Sequence, residues 1–300
     1  RDGERESVNA HGLLNDDSVH ALCEDREGSL WIGTFHGGLN RLRDTPFIAL
    51  GTAAGLPGDH VRSVLRSRDG SLWFGLDSAG LARERDGVIT SYTEADGLPS
   101  NTVHALCEGR DGSLWLGTDR GVSRFDGRRF RNFGVADGLA SDIIRALFED
   151  GRGRLWVGTK GGGVSCLEDG AFTSFGLADG LPSTRVRWLH EDDRGRLWVG
   201  TESGLAIRDG DRFVPLATAG DRLQSYIVGV YEDAQGTIWI GTYGDGLGRL
   251  RDGRLDLVGT EDGLFEDTVY SVNEDRFGQL WLPCNRGVFG VDKGDVARYL

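Results

Sequence analysis

Seven tryptophans recur along the chain at a nearly constant interval. Six of them follow a Leu and one follows an Ile, and six are followed two positions later by a Gly. A fixed period of about 42 residues is typical of a repeat architecture in which each repeat is one supersecondary unit. The seven positions are Trp31, Trp73, Trp115, Trp156, Trp198, Trp239 and Trp281.

Each repeat reads as four short strands separated by turns rich in Gly and Asp. In the third repeat we predict strands at 102–108, 113–118, 121–125 and 128–133, before a loop that ends in Asp137-Gly138-Leu139. Four short strands joined by tight turns are the pattern of a propeller blade. No segment shows a helical hydrophobic period. The sequence therefore predicts an all-β, seven-bladed β-propeller with four antiparallel strands per blade, forming a single domain over residues 1–300.

Composition excludes several classes of protein. Glycine supplies 48 of the 300 residues, and each glycine costs about 1 kcal/mol relative to alanine inside a helix, which argues against a helical bundle. No run of 18 apolar residues is present, so we expect no membrane-spanning segment. A formal net charge of −13 argues against nucleic-acid binding, which depends on neutralising phosphates. The chain has no Met, which indicates a processed or excised region rather than a whole gene product.

Two features mark the seventh repeat as unusual. Both 4–8 and 296–300 resemble a fourth strand, and only one of them can complete the last blade. Where the other repeats have Gly-Thr, or a close variant, this one has Pro283-Cys284. Because proline is confined to strand ends, edges or bulges, we expect the seventh blade to be distorted at that point.

The run from Val103 to Thr118, followed by 121–125 and the Asp-Gly-Leu loop, resembles the two-component regulator propeller repeat. The resemblance extends over all seven repeats. It implies the sensing region of a bacterial hybrid signalling receptor, in the periplasm or outside the cell, that responds to polysaccharide fragments. It also implies downstream signalling domains that this chain does not contain, and a homodimer of the full-length receptor.

Enzyme signatures are missing from the sequence. There is no Gly-x-Ser-x-Gly elbow, no His-Glu-x-x-His and no phosphate loop, so we predict no catalytic residue, no metal site and no cofactor. Adjacent acidic pairs recur at the exit of the first strand, which favours a structural role in the turn over acid–base catalysis. The pairs are Glu24-Asp25, Glu149-Asp150, Glu191-Asp192, Glu232-Asp233 and Glu274-Asp275. The four cysteines are expected to be buried thiols rather than disulfides: Cys23, Cys107, Cys166 and Cys284.

One column of the repeat carries the candidate ligand site. Directly after the hydrophobic residue that opens the first strand, the seven repeats have His20, Arg62, His104, Arg145, Arg187, Val228 and Tyr270. The adjoining loops add Phe35, His36, Asp119, Arg120, Lys160, Tyr243, Asp245 and Arg286, of which His36, Arg120, Tyr243 and Arg286 are further candidates for the ligand site. We expect a positively biased channel mouth in which Arg donates to a small-molecule or oligosaccharide ligand, anionic or rich in hydroxyls, and aromatic rings stack on sugar faces. The alternative is that each Arg pairs with a local carboxylate, such as the Asp of the Asp-Gly-Leu loop, and fastens neighbouring blades.

Three functions compete on this evidence. The first is a non-enzymatic ligand-sensing propeller, and the second is a protein-interaction scaffold that uses one face of the ring. The third is an enzyme like virginiamycin B lyase, a seven-bladed propeller with a Leu-Trp repeat. That family's repeat runs Leu-Trp-Phe-Thr-Glu, whereas the strands here run mostly Trp-x-Gly-Thr, which favours the sensor.

Overall fold

The chain is a seven-bladed β-propeller of seven four-stranded antiparallel sheets, as the repeat predicted. The computed structural model describes residues 7–8, 18–24, 30–42, 48–52, 55–216, 225–275 and 277–298. The fold divides into two compact units. We call residues 62–227 the continuous unit and residues 1–61 with 228–300 the split unit. That all seven blades form a single domain stays a prediction.

The strands follow the repeat with little deviation. Blade 1 and the first strand of the chain comprise β1 (Ser7–Val8), β2 (Val19–Glu24), β3 (Leu30–Thr34), β4 (Leu39–Leu42) and β5 (Ile48–Leu50). Blades 2 and 3 comprise β6 (Val61–Arg66), β7 (Leu72–Leu76), β8 (Leu81–Arg85), β9 (Val88–Tyr92), β10 (Val103–Glu108), β11 (Leu114–Thr118), β12 (Gly121–Phe125) and β13 (Phe130–Phe133). Blades 4 and 5 comprise β14 (Ile144–Glu149), β15 (Leu155–Thr159), β16 (Val164–Glu168), β17 (Ala171–Phe175), β18 (Val186–Glu191), β19 (Leu197–Thr201), β20 (Gly204–Asp209) and β21 (Arg212–Pro215).

The last two blades are followed by the one α-helix among the described residues. The strands are β22 (Ile227–Glu232), β23 (Ile238–Thr242), β24 (Leu247–Arg251), β25 (Arg254–Val258), β26 (Asn273–Glu274), β27 (Gln279–Cys284) and β28 (Gly287–Asp292), and the helix is α1 (Lys293–Arg298). Within the described part of the chain, no helix is long and apolar enough to cross a membrane.

The N-terminal strand completes the seventh blade. Strand β1 pairs antiparallel with β28, with Ser7 opposite Phe289, and the sheet order is β1-β28-β27-β26. The competing segment begins in α1, so it is not a strand in its described residues, 296–298. The sequence left both closures open, and residues 4–6 and 299–300 lie outside the described part.

The expected distortion of the seventh blade falls on its inner strand. Strand β27 continues through Pro283, which lies opposite Val288 of β28. Its inner neighbour β26 is only two residues long and pairs with β27 only at Trp281 and Leu280. Since proline has no N–H, Pro283 cannot donate to the inner strand, but its carbonyl oxygen accepts the Tyr270 N–H at 2.9 Å.

Within the continuous unit, a repeat tryptophan packs between one blade and the next. Trp156 of blade 4 is fully buried and lies in one cluster with Val186 and Leu197 of blade 5. Its indole Nε1 donates to Asp150 Oδ2 at 2.8 Å. Burial raises the pKa of the Asp150 carboxyl, but hydrogen bonds from Trp156 and from Arg154 outweigh it, and the pKa is lowered. The tryptophan thus fills the space between blades while its polar edge fixes the turn that precedes it.

The paired carboxylates are structural, as predicted. The Asp of each described pair accepts bonds from its own turn, and the Glu of two pairs reaches the turn of the preceding blade. Glu149 Oε1 accepts the backbone N–H of Arg110 at 2.8 Å, and Glu191 Oε2 accepts that of Gly151 at 2.5 Å. These contacts cross from one blade to the next within the continuous unit. Asp25, and the side chain of its neighbour Glu24, lie outside the described part.

The Gly-Thr pair that follows most of the tryptophans has two separate roles. A Cβ at Gly117 would lie 2.7 Å from Cγ2 of Ile144, the residue that opens the next blade, so only glycine fits there. The hydroxyl of Thr118 donates to the carbonyl of Gly121 at 2.8 Å and closes the following hairpin.

The four cysteines form no disulfide. Cys166 and Cys284 are buried as predicted, whereas Cys23 and Cys107 are half-buried.

Candidate functional site

The candidate column coincides with a β-bulge at the start of the first strand. In blades 1, 3, 4 and 5, the register between the first and second strands shifts at the residue that belongs to the candidate column. In blade 3, Val103 and Ala105 pair with Thr118 and Gly117, and His104 between them has no partner in the ladder. A bulged residue is released from the alternation of the strand and its side chain can be re-aimed. The bulged residues are His20, His104, Arg145 and Arg187.

Residues of this column pair with a side chain 15 positions later, just after the second strand. Arg62 Nη2 lies 2.5 Å from Asp77 Oδ2, and Arg187 Nη2 lies 3.1 Å from Glu202 Oε1. His104 Nε2 lies 2.7 Å from Asp119 Oδ1. At the equivalent position of blade 4 stands Lys160, which carries the same charge as Arg145 and is exposed. Arg145 therefore lacks the acidic partner that its neighbours have.

Arg145 compensates by sharing the acid of the preceding blade. Its Nη1 lies 3.6 Å from Asp119 Oδ1, the oxygen that His104 contacts more closely. Its Nε and Nη1 are buried and have no hydrogen-bond partner. Burial lowers the pKa of Arg145, and the nearby Arg187 and Arg62 lower it further against the opposing effect of Asp119. The site thus contains a guanidinium with unused donors.

His104 is neutral in this setting. Its side chain is 6% exposed, and burial together with Arg145 lowers its pKa to about 4, although Asp119 opposes the shift. A neutral imidazole donates one N–H, which is consistent with a bond from Nε2 to Asp119. His104 therefore occupies Asp119 without adding positive charge at neutral pH.

The far end of this ionic cluster is formed by Arg187. Its Cζ lies 5.1 Å from the ring centroid of Tyr226, and its Nε is buried without a hydrogen-bond partner. Glu202 is shared with Arg185, whose Nη1 lies 3.2 Å from it. We define the ionic cluster of the continuous unit as Arg62, Asp77, His104, Asp119, Arg145, Arg185, Arg187, Glu202 and Tyr226.

The split unit builds the same column from stacked rings. The ring of His20 stacks on Phe35 at 5.2 Å and on Tyr270 at 5.4 Å between centroids. Phe35 stacks in turn on His60 at 4.9 Å, and His36 meets Phe35 edge-on at 4.5 Å. We define the aromatic cluster as His20, Phe35, His36, His60, Tyr243 and Tyr270.

Tyr270 and Tyr243 extend this cluster. Their ring centroids are 6.5 Å apart, and Tyr243 is 53% exposed. The Tyr270 hydroxyl donates to Asn285 Oδ1, again 15 positions later, at 2.5 Å. Burial and the neighbouring Tyr243 raise the pKa of Tyr270. Tyr243 therefore offers an exposed aromatic edge.

Two predicted site residues lie apart from either cluster. Arg120 is mostly exposed, and its Nη1 lies 3.7 Å from Glu94. Arg286 stacks its guanidinium over Phe265, with 4.5 Å between Cζ and the ring centroid. Within the residues that the structure describes, no group of three His, Cys, Asp or Glu side chains could hold a metal ion.

Sequence comparison assigns the repeat. The profile of the two component regulator propeller matches six segments of the chain, at 13–36, 55–78, 97–120, 138–161, 180–203 and 222–244. The chain belongs to the two component regulator propeller family. Each matched segment contains one position of the candidate column and its partner position after the second strand. The seventh repeat, with Pro283, lies outside the matches. No curated protein matches the sequence.

Solved structures share the fold of this regulator propeller. Two are extracellular domains of hybrid two component systems of B. thetaiotaomicron, with TM-scores of 0.84 and 0.79 at 20% and 19% identity. They match 98% and 97% of this chain, which spans 42% of the length of each. Virginiamycin B lyase from Staphylococcus aureus matches 96% of this chain and 98% of its own, with a TM-score of 0.77 at 15% identity. At these identities the similarity shows the fold alone.

The alignment of the repeats predicted the column of the regulator propeller and, among the adjoining loop residues, Asp119, but neither Asp77 nor Glu202. It offered the Asp of the Asp-Gly-Leu loop as one example of a carboxylate that could pair with each Arg. That Asp instead caps its own turn, as Asp137 Oδ2 does when it accepts the Gly134 N–H at 2.8 Å. The acids that do pair are Asp77, Asp119 and Glu202. These acids follow the column residue at a constant offset of 15 positions, and that offset could have identified them from the sequence.

Proposed function

We propose that this regulator propeller is the ligand-sensing region of a bacterial signalling receptor and works outside the cytoplasm. It binds a small or oligosaccharide ligand, without chemical conversion, at the inner ends of the first strands. Binding then biases the arrangement of signalling domains elsewhere in the receptor, which acts as a homodimer. The family and the likeness to extracellular domains of hybrid two component systems support this proposal.

The observation that carries the proposal is the ionic cluster. Four arginines lie in this cluster, and Arg62 and Arg187 are both near enough to Arg145 to lower its pKa, in a chain whose net charge is −13. If these groups served only to fasten blades, each would be expected to have its hydrogen-bond donors satisfied. Arg145 has no acid of its own and two unused donors, so its position is better explained by a ligand that supplies acceptor oxygens.

A thermal-shift screen tests this proposal. Acidic and neutral oligosaccharides are added to the purified protein, because a ligand that binds only the native state raises the melting temperature by mass action. The variant Arg145→Ala/Arg187→Ala should lose the shift given by an anionic oligosaccharide. Arg83→Ala/Arg124→Ala is a matched control, since these arginines pair with the turn residues Asp69 and Asp111. Equal shifts in both variants would exclude the ionic cluster.

The two competing functions give different results. Virginiamycin B lyase has been solved in an inactive His-to-Ala form with quinupristin, so loss of quinupristin on incubation with this chain would favour a lyase. A scaffold would show no shift with any sugar.

A further inference from the structure

Arg145 has unsatisfied hydrogen-bond donors inside the ionic cluster. Its Nε and Nη1 lack a hydrogen-bond partner, and its side chain is only 15% exposed. The Nε of Arg187 in the next blade is buried without a partner as well. A buried donor without a hydrogen-bond partner destabilises a protein by more than a normal hydrogen bond stabilises it, so such groups need an explanation. Two of them lie in adjacent blades of one cluster, where acceptor atoms supplied from outside the chain would satisfy both.

The net charge of the ionic cluster indicates the charge of the ligand group that would bind there. The guanidinium groups are those of Arg62, Arg145, Arg185 and Arg187, and the carboxylates are those of Asp77, Asp119 and Glu202. Because His104 is neutral near pH 7, the described cluster carries an excess of one positive charge. A single negative charge would balance it.

Two of the three carboxylates also limit which anions can bind. Asp119 lies 3.6 Å from Arg145, and Glu202 lies 3.1 Å from Arg187. An anion of higher charge brought to Arg145 would be repelled by both. Like charges brought together repel each other, and such repulsion is a common means of rejecting unwanted ligands.

From these observations we propose that Arg145, assisted by Arg187, binds one monoanionic group of a sugar ligand, a carboxylate or a sulfate ester, and that the flanking carboxylates reject polyanions. The proposal rests on the proposed function, whose ligand it specifies. Lys160 is what makes the site possible, since an acid at that position would pair with Arg145 as the acids of the other blades pair with their partners.

The test compares matched ligands by calorimetry at low salt. The probes are galacturonic acid, galactose 6-sulfate, methyl galacturonate, galactose and tripolyphosphate. We expect the protein to bind galacturonic acid or the sulfate ester, and the better of the two identifies the charged group. Methyl galacturonate and galactose should bind at least tenfold more weakly, and tripolyphosphate should not compete.

Two variants test the residues. Arg145→Gln should weaken binding of the acidic probe by roughly 30-fold, since it removes a buried charged donor. Lys160→Glu changes an exposed residue, so the protein should fold, and it should weaken binding comparably by giving Arg145 an acid of its own. Arg124→Gln removes an arginine paired with Asp111 and should leave binding unchanged.

The failures are distinguishable. If galactose and methyl galacturonate bind as tightly as galacturonic acid, the monoanion proposal is wrong and the sensing function stands. If tripolyphosphate binds more tightly than either acidic sugar, the rejection of polyanions is wrong. If neither the acidic nor the neutral probes bind, at millimolar concentration, both proposals are overturned. If Lys160→Glu binds the acidic probe as tightly as wild type, Arg145 does not bind the ligand and the assignment of the site is wrong.

Discussion

The ionic cluster and the aromatic cluster occupy the same position of the repeat and differ in chemistry. In the continuous unit, residues of the column meet charged partners, as Arg62 meets Asp77. In the split unit they meet rings and an amide, as His20 meets Phe35 and Tyr270 meets Asn285. The backbone is the same in both, since His20 and His104 lie at equivalent bulges.

The difference shows that the backbone determines where the side chain of the column lies, whereas the partner residue after the second strand determines which interaction it makes. His20 and His104 are both half-buried as residues, yet one stacks on rings and the other bonds a carboxylate. Stacking is insensitive to salt, whereas exposed and half-exposed ion pairs weaken as salt screens them. The two clusters should therefore respond differently to pH, salt and substitution.

The largest expected effect is the pH response of His104. Its pKa in the folded protein is about 4, below the ordinary 6.5, so between these values the unfolded chain binds a proton that the native protein does not. The contribution of His104 to the free energy of unfolding is therefore fully present above pH 6.5. It is lost as the pH drops towards 4, by about 3 kcal/mol for a pKa shift of this size. Urea unfolding of wild type and His104→Gln at pH 4, 6.5, 7 and 8 measures this loss.

The variant should lose that part of the pH dependence, and the two proteins should run parallel between pH 7 and 8. A His104→Gln protein with the wild-type slope between pH 6.5 and 4 would show that His104 is not buried neutral beside Arg145.

The next effect concerns the aromatic cluster. Phe35→Ala removes the ring that stacks on both His20 and His60. Because Phe35 is half-buried, the free energy of unfolding should fall by about 2 kcal/mol, less than for a fully buried ring. The loss should be the same in 0.05 M and 0.5 M NaCl. A loss that shrinks with salt would mean that this cluster is also held by charge.

The smallest effect separates the two properties of Arg187. Arg187→Lys keeps the charge opposite Glu202 but loses the planar group over Tyr226, so stability should fall by about 1 kcal/mol. Because Lys keeps the charge opposite Glu202, this loss should be the same at low and at high salt. If Arg187→Lys were as stable as wild type at every salt concentration, the contact with Tyr226 would contribute nothing.

The repeat pattern was sufficient for the architecture. Tryptophan at a nearly constant period predicted seven blades, and Trp156 indeed packs against the next blade. The same alignment of repeats brought Arg62, His104, Arg145 and Arg187 into one column. Their acids could also have been found from the offset that recurs in blades 2, 3 and 5. Arg120 and Arg286, chosen from loops, lie outside both clusters.

The sequence by itself determined the number of blades, the strands of each and the column that carries charge, because these depend on local periodicity that every repeat restates. Only the tertiary structure decided that Ser7–Val8 closes the last blade and that Asp119 serves both His104 and Arg145. Both depend on contacts between residues far apart in the chain. A partner borrowed from a neighbouring blade leaves no trace in the pattern of a single repeat.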